Sequence, residues 1–362
     1  MGLLDRLSES DFEQLITFQN RATGLRGFLA IHDTTLGPAL GGVRIRRYAS
    51  EGDALDDCLR LARGMTFKAS LAELPCGGGK AVILDHEGLQ RDAAFEAYGH
   101  LVESLRGRFF TGVDLGVTAA DISAIARATR YVACESSPEL GDISEHTAMG
   151  VWHGMRACLE FAGLAGRRRI RVAMQGVGSV GLQLASILYR EGAELIVADM
   201  NAAAAKAASR EFGARVVVPD DVLSVECDVL APCAVGGILN GTTIPKLRAR
   251  IVCGSANNQL ATPEDGDAIS VRSILYAPDY LVNSGGLIRG AEFYLLRRAD
   301  SRPSLARIYD RMKRVAQLAH ERGLATARVA DELAEARLKK AKTYRDLHWG
   351  QLPEPPVKKC SP

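Results

Sequence analysis

Two lysines, Lys68 and Lys80, bracket a run that reads Met65-Thr66-Phe67-Lys68 at one end and Pro75-Cys76-Gly77-Gly78-Gly79-Lys80 at the other. Desolvation lowers the pKa of an ammonium group, and a second cation nearby lowers it further. Two lysines facing one ligand can therefore divide the labour: one stays a charged clamp for a carboxylate, while the other loses its proton and acts as a base. The three glycines would let backbone approach a ligand where a side chain would intervene. A phosphate loop is excluded, because Gly-x-x-x-x-Gly-Lys-Ser/Thr would require glycine at Leu74 and a hydroxyl at Ala81. A carboxylate, Asp114, stands between Gly112 and Gly116 at the end of an expected strand over 108–113. That is a good position for proton chemistry and also an ordinary turn composition.

A second chemistry lies in Gly176-Val177-Gly178-Ser179-Val180-Gly181. Alone, Gly-x-Gly-x-x-Gly is a weak signal. Here it follows an expected strand (170–174), precedes an expected helix (182–190), and the next strand (194–198) ends at Asp199, the pattern of a dinucleotide fold. The first two glycines allow the turn and the approach of a pyrophosphate, and the helix start supplies the positive end of its dipole. Asp199 can accept hydrogen bonds from both ribose hydroxyls and would repel a 2′-phosphate, which favours NAD over NADP.

The elements that must position these groups follow from capping and periodicity. Ser10-Asp11 is expected to cap a first helix whose Phe12, Leu15 and Ile16 share a face. A strand over 27–33 leads into Gly37-Pro38-Ala39-Leu40-Gly41-Gly42, a turn with two adjacent glycines, and Val43 and Ile45 continue as a strand. Ser50 and Asp53 form a capping box for a helix carrying Leu55, Leu59, Ala62 and Met65, so Lys68 lies one turn further on. Lys80 then sits at the exit of a glycine-rich loop, before a short strand over 81–84. A helix with Phe95, Tyr98, Leu101, Val102 and Leu105 on one side follows, and Thr118 with Asp121 caps another that runs to about residue 129.

Residues 136–145 read as a linker, 147–162 as a helix, and Gly166-Arg167-Arg168-Arg169 as a basic turn. Further strands at 214–218, 227–232 and 251–254 keep a parallel-sheet cadence. Small polar turns at 234–237, 255–258 and 283–286 should face a ligand at the carboxyl ends of those strands. Helices are expected over 291–321 and 326–342, and 352–362 has the composition of a disordered tail.

With 362 residues the chain calls for two domains. A net charge of +2 gives no electrostatic case for nucleic acid or an acidic membrane, and no apolar run approaches the ~20 residues of a membrane span. The eight cysteines form no Cys-x-x-Cys and there is no His-Glu-x-x-His, so a reduced, metal-free, cytoplasmic protein is expected.

The chain resembles the leucine/phenylalanine/valine dehydrogenases of the glutamate dehydrogenase superfamily. The resemblance runs over about residues 25–345. It is carried by Gly37-Pro38-Ala39-Leu40-Gly41-Gly42, Met65-Thr66-x-Lys68, Gly77-Gly78-Gly79-Lys80, Asp114 with Thr118, and Gln175-Gly176-x-Gly178-x-x-Gly181. Ala231-Pro232-Cys233-Ala234, Gly254-Ser255-Ala256-Asn257-Asn258-Gln259-Leu260 and Tyr276-Ala277-Pro278-Asp279-Tyr280 complete the match. The resemblance implies an α/β protein of two domains separated by a cleft. The first (1–135) is an α/β substrate and dimerisation domain with the catalytic lysines, and the second (145–325) a Rossmann-type NAD-binding domain. A C-terminal helix (326–350) would pack back near the domain interface.

The implied activity is NAD-dependent oxidative deamination of an L-amino acid to a 2-oxo acid and ammonia, and the reverse, in a homo-oligomer, dimer or octamer. Lys68 would hold the substrate carboxylate, Lys80 would be the base that activates water, and Asp114 would exchange protons with the amino group. Leu40, Gly41, Gly42, Met65, Gly112, Asn258, Leu287 and Gly290 would line the substrate. Thr147, Gly176, Val177, Gly178, Ser179, Val180, Gly181, Asp199, Cys233, Ala234, Ala256, Asn257 and Asn258 would hold the cofactor. Relatives commonly have Thr-Gly at Ala133-Cys134, and leucine-preferring relatives tend to carry alanine and valine where this chain has Gly112 and Gly290. Arg289-Gly290 is a further departure. The loss of those side chains predicts a bulky apolar substrate, phenylalanine ahead of leucine. The rival readings are a hydroxy-acid dehydrogenase and a non-catalytic NAD-binding regulator.

Overall fold

The structure is a computed structural model that describes residues 2–133, 139–167 and 169–347. Cys134, positions 136–138 of the expected linker, Arg168, the last three positions of the expected C-terminal helix and the 352–362 tail lie outside them. The chain forms two compact α/β units. One comprises Met1–Gly141, Gly290–Ala299 and Ala334–Pro362, and the other Asp142–Arg289 and Asp300–Leu333.

The first unit opens with α1 (Leu3–Glu9), which ends before the expected first helix begins. Ser10 closes that helix, Asp11 turns the chain at φ 55°, and Gln14–Asn20 is a strand, β1. The expected helix through Phe12, Leu15 and Ile16 is therefore corrected. The segment Ile16-Thr17-Phe18 is β-branched and aromatic, and its strand pairs antiparallel with β2 (Leu25–Asp33) in a hairpin. The sheet continues with β3 (Ala39–Leu40), β4 (Val43–Arg46), β5 (Gly77–Leu84) and β6 (Phe109–Phe110), in the order β1-β2-β5-β3-β6, with β4 also on β5. Helix α2 (Glu51–Leu71), capped by Ser50, lays Ala54, Cys58, Leu59 and Ala62 on Ala30 and Val82. Helices α3 (Arg91–Ser104) and α4 (Ala119–Ala128) complete the layer, and the Thr118–Asp121 capping box opens α4 as expected.

A second correction concerns Gly77-Gly78-Gly79. They are not a loop but the first residues of β5, buried in the sheet. A Cβ at Gly78 would lie 2.6 Å from the carbonyl carbon of Met65 and closer still to the Thr66 nitrogen, and one at Gly79 would lie 2.8 Å from the Phe109 ring. These glycines let α2 and the neighbouring strands close on β5.

In the second unit α5 (Ile143–Phe161) starts four residues earlier than expected, capped by Asp142. Strands β7 (Arg171–Gln175), β8 (Glu194–Ala198), β9 (Arg215–Val216), β10 (Cys227–Pro232), β11 (Ala249–Val252) and β12 (Leu275–Tyr276) are all parallel, in the order β12-β11-β10-β7-β8-β9. The order reverses beside β7, the doubly wound arrangement whose ligands bind at the carboxyl ends next to the reversal. Helices α6 (Ser179–Arg190), α7 (Ala202–Phe212) and α8 (Pro263–Val271) connect the strands.

Two further expectations are corrected here. Asn283 to Gly286 is not a turn after a strand: it joins α9 (Asp279–Val282) to α10 (Gly285–Tyr294), and a Cβ at Gly285 would lie 2.6 Å from the His146 carbonyl carbon of α5. The long helix expected over 291–321 is broken, because Pro303 is tolerated only in a helix's first turn and starts α11 (Arg302–Arg322) there. The last helix, α12 (Thr326–Leu347), passes into the first unit at Ala334. There Ser70 donates its hydroxyl to Ala334 O at 2.8 Å, and Arg337 donates to the Ser70 and Leu74 carbonyls at 3.1 Å each, beyond the end of α2.

Candidate active site

Lys80 lies in mid-β5, only 6% exposed. The register of β3 and β4 along β5 sets Gly41 and Gly42 opposite Gly79 and Lys80. Across them the chain after β6 runs alongside: Gly41 N donates to Phe110 O, Val43 N to Gly112 O and Ile45 N to Leu115 O, all at 2.9–3.0 Å. A Cβ at Gly41 would lie 2.7 Å from the Gly79 carbonyl carbon, and one at Gly42 2.9 Å from that of Val113. These backbones must touch, and their closeness carries Asp114 to Lys80: Nζ and Oδ2 are 2.6 Å apart. Leu40, Gly41, Gly42 and Gly112 belong to the stretches of backbone whose pairing brings Lys80 and Asp114 together.

Asp114 has a second cation that the sequence reading missed. Arg44, on β4, donates from Nε to Asp114 Oδ2 at 3.1 Å and from Nη1 to Asp57 Oδ2 at 2.8 Å. Asp57 also accepts the Tyr48 hydroxyl at 2.8 Å and Arg60 at 2.6 Å. Burial by itself would raise the Asp114 carboxyl; the charges of Lys80 and Arg44, with hydrogen bonds from Lys80 and the Leu115 amide, outweigh it and hold the group at about 2. No local signal marks Arg44: side chains along β4 alternate between faces, and its two carboxylates come from distant positions.

Met65 and Lys68 lie on α2, where the Gly78 contact presses residues 65 and 66 against β5 two positions before Lys80. Lys68 is half-buried, one turn beyond Met65.

In the second unit the three loop glycines have three distinct environments. Gly176 takes φ +96°, and a Cβ there would lie 2.8 Å from that of Ala234. Gly178 caps α6, which starts three residues earlier than expected, and a Cβ on it would meet nothing within 4 Å. Gly181 is pressed onto the Gly176 carbonyl, with 3.1 Å left to its carbon. The outer glycines serve the turn and the helix contact, while the middle one faces open space at a helix start, as a pyrophosphate site requires. Val177 N and Asn201 N donate to the two oxygens of Asp199 at 2.8 and 2.7 Å, which ties that carboxylate to the loop. Val177 is buried in the loop, and Ser179 and Val180 form the first turn of α6. These residues fit a dinucleotide.

Cys233 N donates to Gln175 O at 2.7 Å, which seats Cys233 and Ala234 beside the glycine loop. The Gly237 amide reaches Asn258 O at 2.7 Å, and Asn258 sits at φ 52°. Asn283 Nδ2 donates to Asn257 Oδ1 at 2.8 Å and to Ser255 O at 3.1 Å, and Ala256 N donates to Pro232 O at 2.9 Å. Thr147 donates to Ile143 O within α5 and stands against Gly286. Leu287 and Gly290 lie on α10, and a Cβ at Gly290 would meet nothing within 4 Å. A Cβ at Gly112 would lie 3.3 Å from that of Ala133, so two of the departures from the family pattern are neighbours. Among the described residues no helix is long and apolar enough to cross a membrane.

Comparisons with known proteins agree with the two-unit α/β fold. Residues 13–137 match the Glu/Leu/Phe/Val dehydrogenase dimerisation domain, and residues 199–342 match the Glutamate/Leucine/Phenylalanine/Valine dehydrogenase domain. The chain is 44% identical to a leucine dehydrogenase of Geobacillus stearothermophilus, over 95% of each chain. It is 40% identical to a phenylalanine dehydrogenase of Bacillus thermotolerans, over 97% of this chain and 94% of that one. The crystal structure of L-tryptophan dehydrogenase from Nostoc punctiforme superposes with a TM-score of 0.82 at 39% identity, covering 94% of this chain and all of that one. With two family domains matched in order and relatives aligned over almost its whole length, this chain belongs to the glutamate/leucine/phenylalanine/valine dehydrogenase family.

Proposed function

We propose that the chain catalyses NAD-dependent oxidative deamination of a bulky apolar L-amino acid, taking amino acid, NAD⁺ and water to 2-oxo acid, ammonium, NADH and a proton. The observation that carries this reading is the buried Lys80–Asp114 pair at 2.6 Å, in a chain similar throughout to leucine, phenylalanine and tryptophan dehydrogenases. Lys68 holds the substrate carboxylate, and Asp114, held ionised, faces the amino group and exchanges its protons. Lys80 takes a proton from the water that attacks the imine carbon and then stabilises charge on the new oxygen. Bound NAD⁺ supplies a hydride acceptor for the α-hydrogen. Residues 176–181 would hold its pyrophosphate, Asp199 the adenosine ribose, and Thr147, Cys233, Ala234, Ala256, Asn257 and Asn258 the remainder.

Leu40, Met65, Gly112, Leu287 and Gly290 are the residues that the family resemblance assigns to the substrate side chain. The open space at Gly290 supports phenylalanine ahead of leucine. The match of residues 13–137 to a dimerisation domain, with β1 at the sheet's edge, supports a homo-oligomer built through the first unit.

The test is NADH formation across the amino acids, with 2-oxo-acid reduction measured with and without ammonium. Activity on phenylalanine or leucine that Lys80→Ala lowers by about 100-fold or more is expected. Reduction that proceeds without ammonium would assign the chain to hydroxy-acid oxidation instead, and a mixture with no NADH signal would leave a binding protein.

A further inference from the structure

Arg44 belongs to a line of alternating charges that runs along one side of the first unit. Lys80 on β5 meets Asp114 Oδ2 at 2.6 Å, and Arg44 on β4 meets the same oxygen at 3.1 Å. The other arm of Arg44 meets Asp57 of α2 at 2.8 Å, and Asp57 is itself held by Tyr48 at 2.8 Å and Arg60 at 2.6 Å. The inner members are screened from solvent: the Arg44 side chain is 14% exposed, Asp57 11%, Asp114 20% and Lys80 8%. The guanidinium is therefore fixed at both ends, with separate nitrogens on carboxylates from two different elements. A planar fork suits that task, whereas an ammonium offers one nitrogen at the end of a flexible stem.

We infer that Arg44 is a positioning residue of the deamination site, one that holds the Asp114 carboxylate against Lys80 from a footing on Asp57. The inference rests on the proposed roles of Lys80 and Asp114. Arg44 acts through Asp114 in two ways. It limits rotation of the carboxylate, so that the oxygen facing Lys80 stays in register with it. It also supplies a second positive charge, so Asp114 remains ionised when substrate excludes water and Lys80 gives up its proton. Lys80 from β5 and Arg44 from β4 are the charged neighbours that set this balance, with a hydrogen bond from the Leu115 amide, and behind Arg44 stand Asp57, Arg60 and Tyr48.

The test compares Arg44→Gln, which removes the charge, with Arg44→Lys, which keeps it without the fork. In Arg44→Gln the expected results are a kcat lower by about tenfold or more, an unchanged KM for NAD, and an acid limb of kcat/KM moved up by about one pH unit or more. That limb reports the base, and taking one cation away from the Lys80–Asp114–Arg44 cluster favours the protonated form of its remaining members, which moves the limb upward. Arg44→Lys should return the limb to its wild-type position while kcat stays reduced. If melting shows Arg44→Gln unfolded, Asp57→Asn takes its place, and the expected result is a lower kcat with a smaller limb shift.

An arm independent of turnover follows the ¹³C signal of the Asp114 carboxyl, assigned by its loss in Asp114→Asn; it should titrate higher in Arg44→Gln. A wild-type enzyme that deaminates, with an Arg44→Gln kcat within twofold and an unmoved pH profile, overturns the positioning role alone. A wild type that does not deaminate overturns the proposed function, and an unmoved carboxyl titration then overturns the link from Arg44 to Asp114 as well.

Discussion

Gly78→Ala tests how closely α2 must lie on β5. The new Cβ would stand 2.6 Å from the Met65 carbonyl carbon, where ordinary contact begins at 3.4 Å, and the obstruction is backbone that no rotamer change can clear. The Thr66 nitrogen is closer still, so either α2 retreats by an ångström or more or β5 bends away from it. Overpacking of this kind costs about 1–3 kcal/mol, or a drop of about 2–12 °C in melting temperature for a domain of this size. The larger effect should be on turnover. The displaced segment carries Met65 and leads into Lys68, while Gly78 itself leads into Lys80, and a misplacement near 1 Å in a catalytic arrangement costs about 100-fold.

Gly64→Ala on the same helix is the control. A Cβ there meets nothing within 4 Å, so the change should raise stability by about 0.8–1.0 kcal/mol through helix propensity and leave kcat/KM alone. Calorimetry and steady-state kinetics on both variants decide the matter. Equal melting temperatures, or a Gly78→Ala enzyme with wild-type kcat/KM, would refute the argument that these glycines exist for backbone contact.

Gly178→Ala should melt within a few degrees of wild type yet raise the KM for NAD at least tenfold, whereas Gly181→Ala, pressed on the Gly176 carbonyl, should lower the melting temperature first. Gly290→Val fills open space on α10 and should shift kcat/KM from phenylalanine towards smaller side chains by tenfold or more, since each lost CH₂ contact is worth about 0.8 kcal/mol; an unchanged preference would remove Gly290 from the pocket. Burial lowers His32 to about 4, so the unfolded chain binds a proton there below pH 6.5 that the folded one refuses until pH 4. Stability from His32 is therefore full above pH 6.5 and falls as the pH drops through this window, by about 3 kcal/mol at its end; chemical denaturation between pH 7 and 4 should show that slope in wild type and lose it in His32→Gln.

What was legible in the sequence was legible because the constraint was local. The Thr118–Asp121 box is a contact within one turn, and β8 and β10 end where their apolar runs end. Gly176 to Gly181 could be placed because a strand, a turn and a helix must follow one another there. The failures have a non-local cause. Phe12, Leu15 and Ile16 fit a helical stripe, and only pairing with β2 makes Leu15 to Phe18 a strand. Gly77 to Gly79 read as a loop because glycine is a poor strand former, and the Met65, Thr66 and Phe109 atoms that require it come from other elements. Arg44 was passed over for the same reason: its two carboxylates lie 70 and 13 positions away.

The contact between Ser70 and Ala334 spans 264 positions, so the unit that begins first is completed last. At a synthesis rate of about 5–20 residues per second, the end of α2 waits on the order of 10–50 s for Ala334 and Arg337 to reach it. During that time the second unit emerges and can fold, while the helix that bears Lys68 has neither its late hydroxyl acceptor nor the guanidinium over its terminal carbonyls. The newly made chain thus spends that interval with its lysine-bearing half open at one end, and this is when a chaperone or a protease would find it.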